Sequence, residues 1–126
     1  MKRIFLDANI LLEILFDRKL ATECRAIVSD PLNEYAISVI TVHIVWYMAE
    51  KYNLQPSLID DLLSVWVILP VIDQTIKVSR NRYNGKDFED CLQATCAESN
   101  GYDEIVTIDK HFQNHSHTIL PVTVLQ

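Results

Sequence analysis

Five short runs rich in β-branched and apolar residues constrain this sequence more than any other feature: RIFL, EYAIS, VWVIL, EIVTI and PVTVL. They occupy residues 3–6, 34–38, 65–69, 104–108 and 121–125, and most of the intervening chain carries helical signals. In Asn9–Phe16, residues Ile10, Leu11, Ile14 and Leu15 share one side, and around Leu20–Ser29 the residues Leu20, Cys24, Ile27 and Val28 do the same. Ile40–Tyr52 is apolar nearly all round and reads as a central helix. SLID at 57–60 resembles a capping box that opens another helix. Asp73 is expected to cap a helix reaching about Tyr83, and Phe88–Asn100 forms a further helix with Gly101 as its stop. Strands separated by helices pair in parallel through right-handed crossovers, so the pattern predicts an α/β sandwich with a mainly parallel sheet.

Composition then removes several classes of function. The 126 residues are 49% hydrophobic and 22% charged, which suits one domain spanning residues 1–126 with a core that needs no staples. Cys24, Cys91 and Cys96 are odd in number and lack metal-type spacing, so they read as buried free thiols in a reducing, cytoplasmic setting. No apolar run approaches the roughly 18 residues of a membrane span. Asp7, Asn9 and Glu13 interrupt the apolar N-terminal stretch, which reads as a first strand and helix rather than a signal peptide. A net charge of −6 argues against a protein that coats DNA, but not against a nuclease with clustered carboxylates. Only Gly85 and Gly101 are present, so neither glycine-rich nucleotide-binding loop can form.

The stretch KDFEDCLQA at 86–94 concentrates Asp87, Glu89 and Asp90 at a helix start. Acids there suit the N-cap and the positive end of the helix dipole. Asp87 and Asp90, three apart, also share a face and could grip a divalent cation. Position bears on this choice. Asp7 follows the first strand and Asp109 the fourth, so in a parallel sheet both emerge at the carboxyl edge, where ligands of such sheets bind. The helix leading into EIVTI runs antiparallel to that strand, so Asp87 and Asp90 start at the same edge. Four unpaired carboxylates would repel and raise one another's pKa, and a divalent cation relieves this. Magnesium or manganese suits carboxylate oxygens and promotes phosphodiester hydrolysis.

Three stretches together resemble the PIN domain family, the fold of VapC-type ribonuclease toxins: IFLDANILLEILFDR, DFEDCLQATCAESNGYDEIVT and TIDKHF. The resemblance implies a three-layer α/β/α sandwich and a magnesium- or manganese-dependent ribonuclease. It further implies an RNA substrate, an antitoxin protein and a homodimer. The family's acids carry over as Asp7, Asp90 and Asp109, with Asp87 as an extra acid. The family also has a glutamate after a threonine and two residues on the helix following its second strand. Here Thr41 is in place and His43 is assigned to the acid's position, as a ligand, a phosphate contact or a residue packed beside Trp46 and Tyr47. This departure keeps open a second reading, a catalytically weakened domain that binds RNA or protein. A phosphoacceptor receiver would need an acid pair after the first strand, where Asp7 stands alone.

Other signals are weaker. HFQNHSH at 111–117 holds three histidines but lacks zinc spacing, and reads as a polar surface loop. Lys77, Arg80, Arg82 and Lys86 precede the acid-led helix, either as phosphate contacts or as a solvated face. Trp46, Tyr47 and Trp66 read as core residues.

Overall fold

In the computed structural model, which describes residues 1–126, parallel pairing joins five strands in the order β3-β2-β1-β4-β5. In chain order the elements are β1 (Arg3–Leu6), α1 (Ala8–Leu15), α2 (Ala21–Ile27), β2 (Glu34–Ser38), α3 (Val39–Lys51), α4 (Pro56–Leu63), β3 (Val67–Leu69), α5 (Asp73–Arg82), α6 (Phe88–Ser99), β4 (Glu104–Thr107), α7 (Phe112–Ser116) and β5 (Val122–Val124). The period-two alternation of β1 divides the core. Ile4 and Leu6 face a layer built from α1 to α4, where Ile10, Cys24, Val45 and Ile59 are buried. Phe5 faces the opposite layer, with Ala94, Cys96 and Ala97 of α6 and Phe112 of α7. The result is a three-layer α/β/α sandwich.

The strand order positions the site. β1 lies at the centre, with β2 on one side and β4 on the other. After β3 the chain crosses to the far side of β1 through α5 and α6, and in open parallel sheets the carboxyl ends at such a reversal form the binding crevice. The register pairs Leu6 with Val106, which sets Asp7 beside Thr107 at that edge. Gly101, at φ +72°, turns the chain after α6 in the left-handed conformation that glycine tolerates best.

Several local expectations shift. Helix α4 begins at Pro56 with Gln55 in the cap position, so SLID lies inside the helix and is not its capping box. Proline suits the first helical position because its missing N–H would lack an intrahelical partner there anyway. Asp73 is the first residue of α5 rather than its cap, and the Thr75 hydroxyl accepts from the Ile72 N–H at 3.3 Å. Helix α3 is not a fully enclosed central helix. Thr41, Val45 and Ala49 are buried, but Val39, His43 and Tyr47 are exposed. Trp66 is buried and Trp46 half-buried, so Tyr47 alone departs from the expected aromatic core. All three cysteines are free and buried. HFQNHSH folds into α7, which is anchored by the fully buried Phe112 and is not simply a surface loop.

Candidate metal centre

Asp87 caps α6 and also stands in the group of acids. It adopts φ 47°, ψ 75°, and its side chain caps α6 by accepting from the Asp90 N–H at 3.2 Å. Aspartate tolerates this left-handed conformation better than most non-glycine residues. The same turn brings Asp87 and Asp90 of the α6 start beside Asp109, two residues beyond β4. A side chain from α7 completes the group. One ligand atom from each of Asp87, Asp90, Asp109 and His115 lies within 4.8 Å of all the others. Asp90 is 3% exposed, so its charge sits in a poorly solvated place.

Asp7 is held immediately behind. Its Oδ1 accepts from the Ala8 N–H at 2.8 Å and its Oδ2 from the Thr107 hydroxyl at 2.8 Å. The Thr107 hydroxyl also accepts from the Asp109 N–H at 3.0 Å and from the Asn9 amide at 3.2 Å. One hydroxyl therefore uses its donor and both lone pairs to tie the ends of β1 and β4 together. Asn9 adds a second tie by accepting from the Ile108 N–H at 3.3 Å.

Burial first, and the neighbouring acids after it, raise the carboxyls of this group. Burial pushes Asp90 up to about 8, aided by the charges of Asp7, Asp87 and Asp109. Burial also pushes Asp7 up to about 7, against the lowering effect of the Thr107 and Ala8 hydrogen bonds. Glu89 is raised by burial and then by Asp87. Two donor atoms, Asp90 Oδ2 and His115 Nδ1, are buried without a hydrogen-bond partner. Buried polar atoms are rarely left so, and these two suit a divalent cation, which satisfies lone pairs directly.

Comparison with known proteins agrees with this architecture. The PIN domain family profile matches residues 4–117. The chain belongs to the PIN domain family. Among solved structures, a chain of a toxin–antitoxin complex from Klebsiella pneumoniae matches this PIN domain with a TM-score of 0.73 at 24% identity, over 96% of both chains. A chain of VapBC2 from Rickettsia felis, bound to a DNA fragment from its promoter, matches at 0.72 and 17%, over 98% of this chain and 99% of that one. DNA-bound VapBC from Salmonella typhimurium contributes a match at 0.67 and 18%, over 98% of both chains. At these identities the structural likeness is one of fold. No functionally curated protein matches the chain.

Within this PIN domain, the expected site residues divide into groups. Asp87, Asp90 and Asp109 stand together with His115, and Asp7 adjoins them through Thr107. His43 lies on the exposed side of α3 and outside the group of four. A threonine and two residues, counted from Thr41, lead to the half-buried Ile44, not His43. The assignment of His43 is therefore one residue short, or about 100° round the helix, and the stated pattern meets no carboxylate on α3. Arg82 is neither a phosphate contact nor a solvated charge, because it pairs with Glu98 between α5 and α6. Neither His115 as a member of the group nor Thr107 as its bridge is among the expected site residues. The clue to His115 was HFQNHSH, but no spacing within that stretch shows that α7 packs against α6.

Proposed function

We propose that this PIN domain is a metal-dependent endoribonuclease that hydrolyses RNA phosphodiester bonds, and that it is the toxin of a toxin–antitoxin pair. The observation that carries the reading is the convergence of Asp87, Asp90, Asp109 and His115 at the carboxyl edge of the sheet, with two buried donor atoms unpartnered. These four residues would hold magnesium or manganese. Asp7 adds negative charge beside Asp90 and is fixed by its hydrogen bonds with Ala8 and Thr107. A divalent cation there lowers the pKa of an attacking water and offsets charge on the phosphoryl oxygens. Thr107 keeps Asp7 and Asp109 in mutual position as substrate binds. A cleft of about 540 Å³ beside Asp109 is lined by Lys19, Lys110 and His111, cations and a ring suited to RNA phosphate and base.

The partner reading draws on the structural neighbours, which come from toxin–antitoxin complexes. A groove of about 360 Å³ between α1 and α4, lined by Ile14, Leu15, Leu58 and Leu62, suits an apolar segment of an antitoxin. Homodimerisation is proposed through the β3 edge, where Val67 and Ile68 are 41% and 45% exposed. A cytoplasmic location accompanies RNA as substrate, and no helix is long and apolar enough to cross a membrane. The absence of a carboxylate at His43 or Ile44 favours a second reading, an RNA- or protein-binding domain with weakened catalysis.

The deciding experiment incubates single-stranded RNA and matching DNA with the protein, in manganese, magnesium or chelator, alongside Asp90→Asn and Asp109→Asn. Cleavage of RNA that needs the ion and both aspartates supports the enzyme. Binding without cleavage under every condition supports the second reading, and cleavage that persists in chelator refutes metal dependence.

A further inference from the structure

The geometry points to His115 as a metal ligand through Nδ1, which makes the centre a mixed carboxylate–imidazole site that prefers manganese to magnesium. This rests on the metal-dependent reading above and adds a donor and a selectivity to it.

His115 Nδ1 lies 3.6 Å from Asp90 Oδ2. A charge-assisted hydrogen bond between them would close to about 2.8 Å, so this contact is not a formed bond. Neither atom has another partner, although both are buried and the Asp90 side chain is 4% exposed. Two donors on one ion, each about 2.1 Å from it, stand about 3.0 Å apart at a right angle and about 4.2 Å apart when opposite. The observed spacing falls between these limits. Asp87 and Asp109 supply oxygens close to that span, since no pair in the group of four exceeds 4.8 Å. Modest side-chain closure brings all four donors onto one ion.

The position of His115 is built rather than incidental. Phe112, one turn earlier, is fully buried, and Ser116 is buried beside it. The Cys91 thiol donates to the His115 carbonyl at 3.3 Å, which pins the end of α7 to the first turn of α6. The residue after Asp90 thereby holds the backbone of the histidine that faces Asp90. The other histidines of HFQNHSH lie outside the group: His111 stacks on His115 at 5.8 Å between ring centroids, and His117 Nε2 contacts the Asn84 amide at 3.1 Å. Both ions suit three carboxylates, but manganese, a transition ion, accepts an imidazole nitrogen more readily than magnesium does. Of the two ions proposed here, the one that gains from the nitrogen is manganese.

The test measures metal binding directly. Pulsed electron paramagnetic resonance of the manganese-loaded wild-type protein should show coupling to an imidazole nitrogen, and His115→Phe should lose it. By calorimetry, His115→Phe and His115→Ala should each weaken manganese binding by about tenfold or more, a typical scale for disturbing a metal site. Magnesium binding should change by less than about threefold, since magnesium dehydrates reluctantly and gains little from nitrogen. A metal-free melt confirms that each variant is folded, and the wild-type spectrum tests the inference even if neither variant is. Manganese bound without nitrogen coupling, or bound equally by both folded variants, overturns the role of His115 and leaves the metal reading standing. If the wild-type protein binds neither ion, the metal reading fails, and this inference fails with it.

Discussion

Asp90 is the residue whose chemistry is most at odds with its surroundings. Its pKa, pushed up to about 8 by burial and neighbouring acids, makes its ionised form a burden on the metal-free fold. Asp90→Asn removes that charge with little change of shape. Metal-free Asp90→Asn should be more stable than wild type at pH 8 by at least about 1 kcal/mol, or roughly 4 °C in Tm. It should also lose most of the stabilisation that millimolar manganese gives the wild type, since the ion stabilises only through native binding. Thermal melts with and without the ion check both outcomes. Thr107 has the opposite role, because its hydroxyl satisfies Asp7, Asp109 and Asn9 together. Thr107→Val keeps the shape and strands these partners, at a cost of about 1–3 kcal/mol. Urea unfolding should show this loss, and Thr107→Ser should restore most of it.

Among the elements, α3 and α6 are locked by a buried polar chain. The Ser38 hydroxyl donates to Gln93 Oε1 at 2.7 Å, and Gln93 Nε2 donates to the Thr41 hydroxyl at 2.9 Å. Ser38 also caps α3 by accepting from the Thr41 N–H at 3.2 Å. Gln93→Leu should destabilise by about 1–3 kcal/mol because it leaves buried hydroxyls unpaired. Adding Thr41→Val should recover part of that loss in urea unfolding, since removing both partners costs less than removing one. Further along α3, His43→Glu places a charge on an exposed face, not in the core. Its metal-free stability should change by less than about 0.5 kcal/mol, and calorimetry should show no gain in manganese affinity.

For the whole molecule, two groups of carboxylates set opposite pH trends. Asp7 and Asp90 have folded pKa values near 7 and 8, above their ordinary value of 3.8. The stability tied to their protonation is present below that ordinary value and is lost as pH rises through the folded values. Glu98 moves the other way. Burial alone would raise it, but the hydrogen bonds from Arg82 and Thr118 hold it below its ordinary 4.5. The Tyr102 and Arg3 hydrogen bonds do the same for Glu34. The stability these two supply is present above 4.5 and is lost as pH falls through their lowered values. The metal-free protein should therefore be most stable near pH 4–5 and weaken toward pH 8. Under the proposed metal binding, manganese held by the deprotonated carboxylates should move the maximum toward neutral or higher pH. Urea titrations across pH 3–9, with and without the ion, check the shift.

Local periodicity by itself determined every element except α7, and their alternation the parallel pairing, because each strand and helix must bury a face that its own residues mark. It also determined the edge at which the acids emerge, since Asp7 and Asp109 follow strands and Asp87 opens the helix between them. What periodicity cannot carry is distance between segments far apart in the chain. Only the packed structure set His115 of α7 beside Asp90 of α6, made Thr107 the bridge between Asp7 and Asp109, and paired Arg82 with Glu98. It also left the outer face of the apolar helix α3 exposed, with Tyr47 60% accessible. Burial depends on what a neighbouring layer covers, and hydropathy records only what a residue could bury. The candidate metal centre divides in the same way: the edge at which its carboxylates emerge follows from strand order, and the place of His115 from the packing of one short helix.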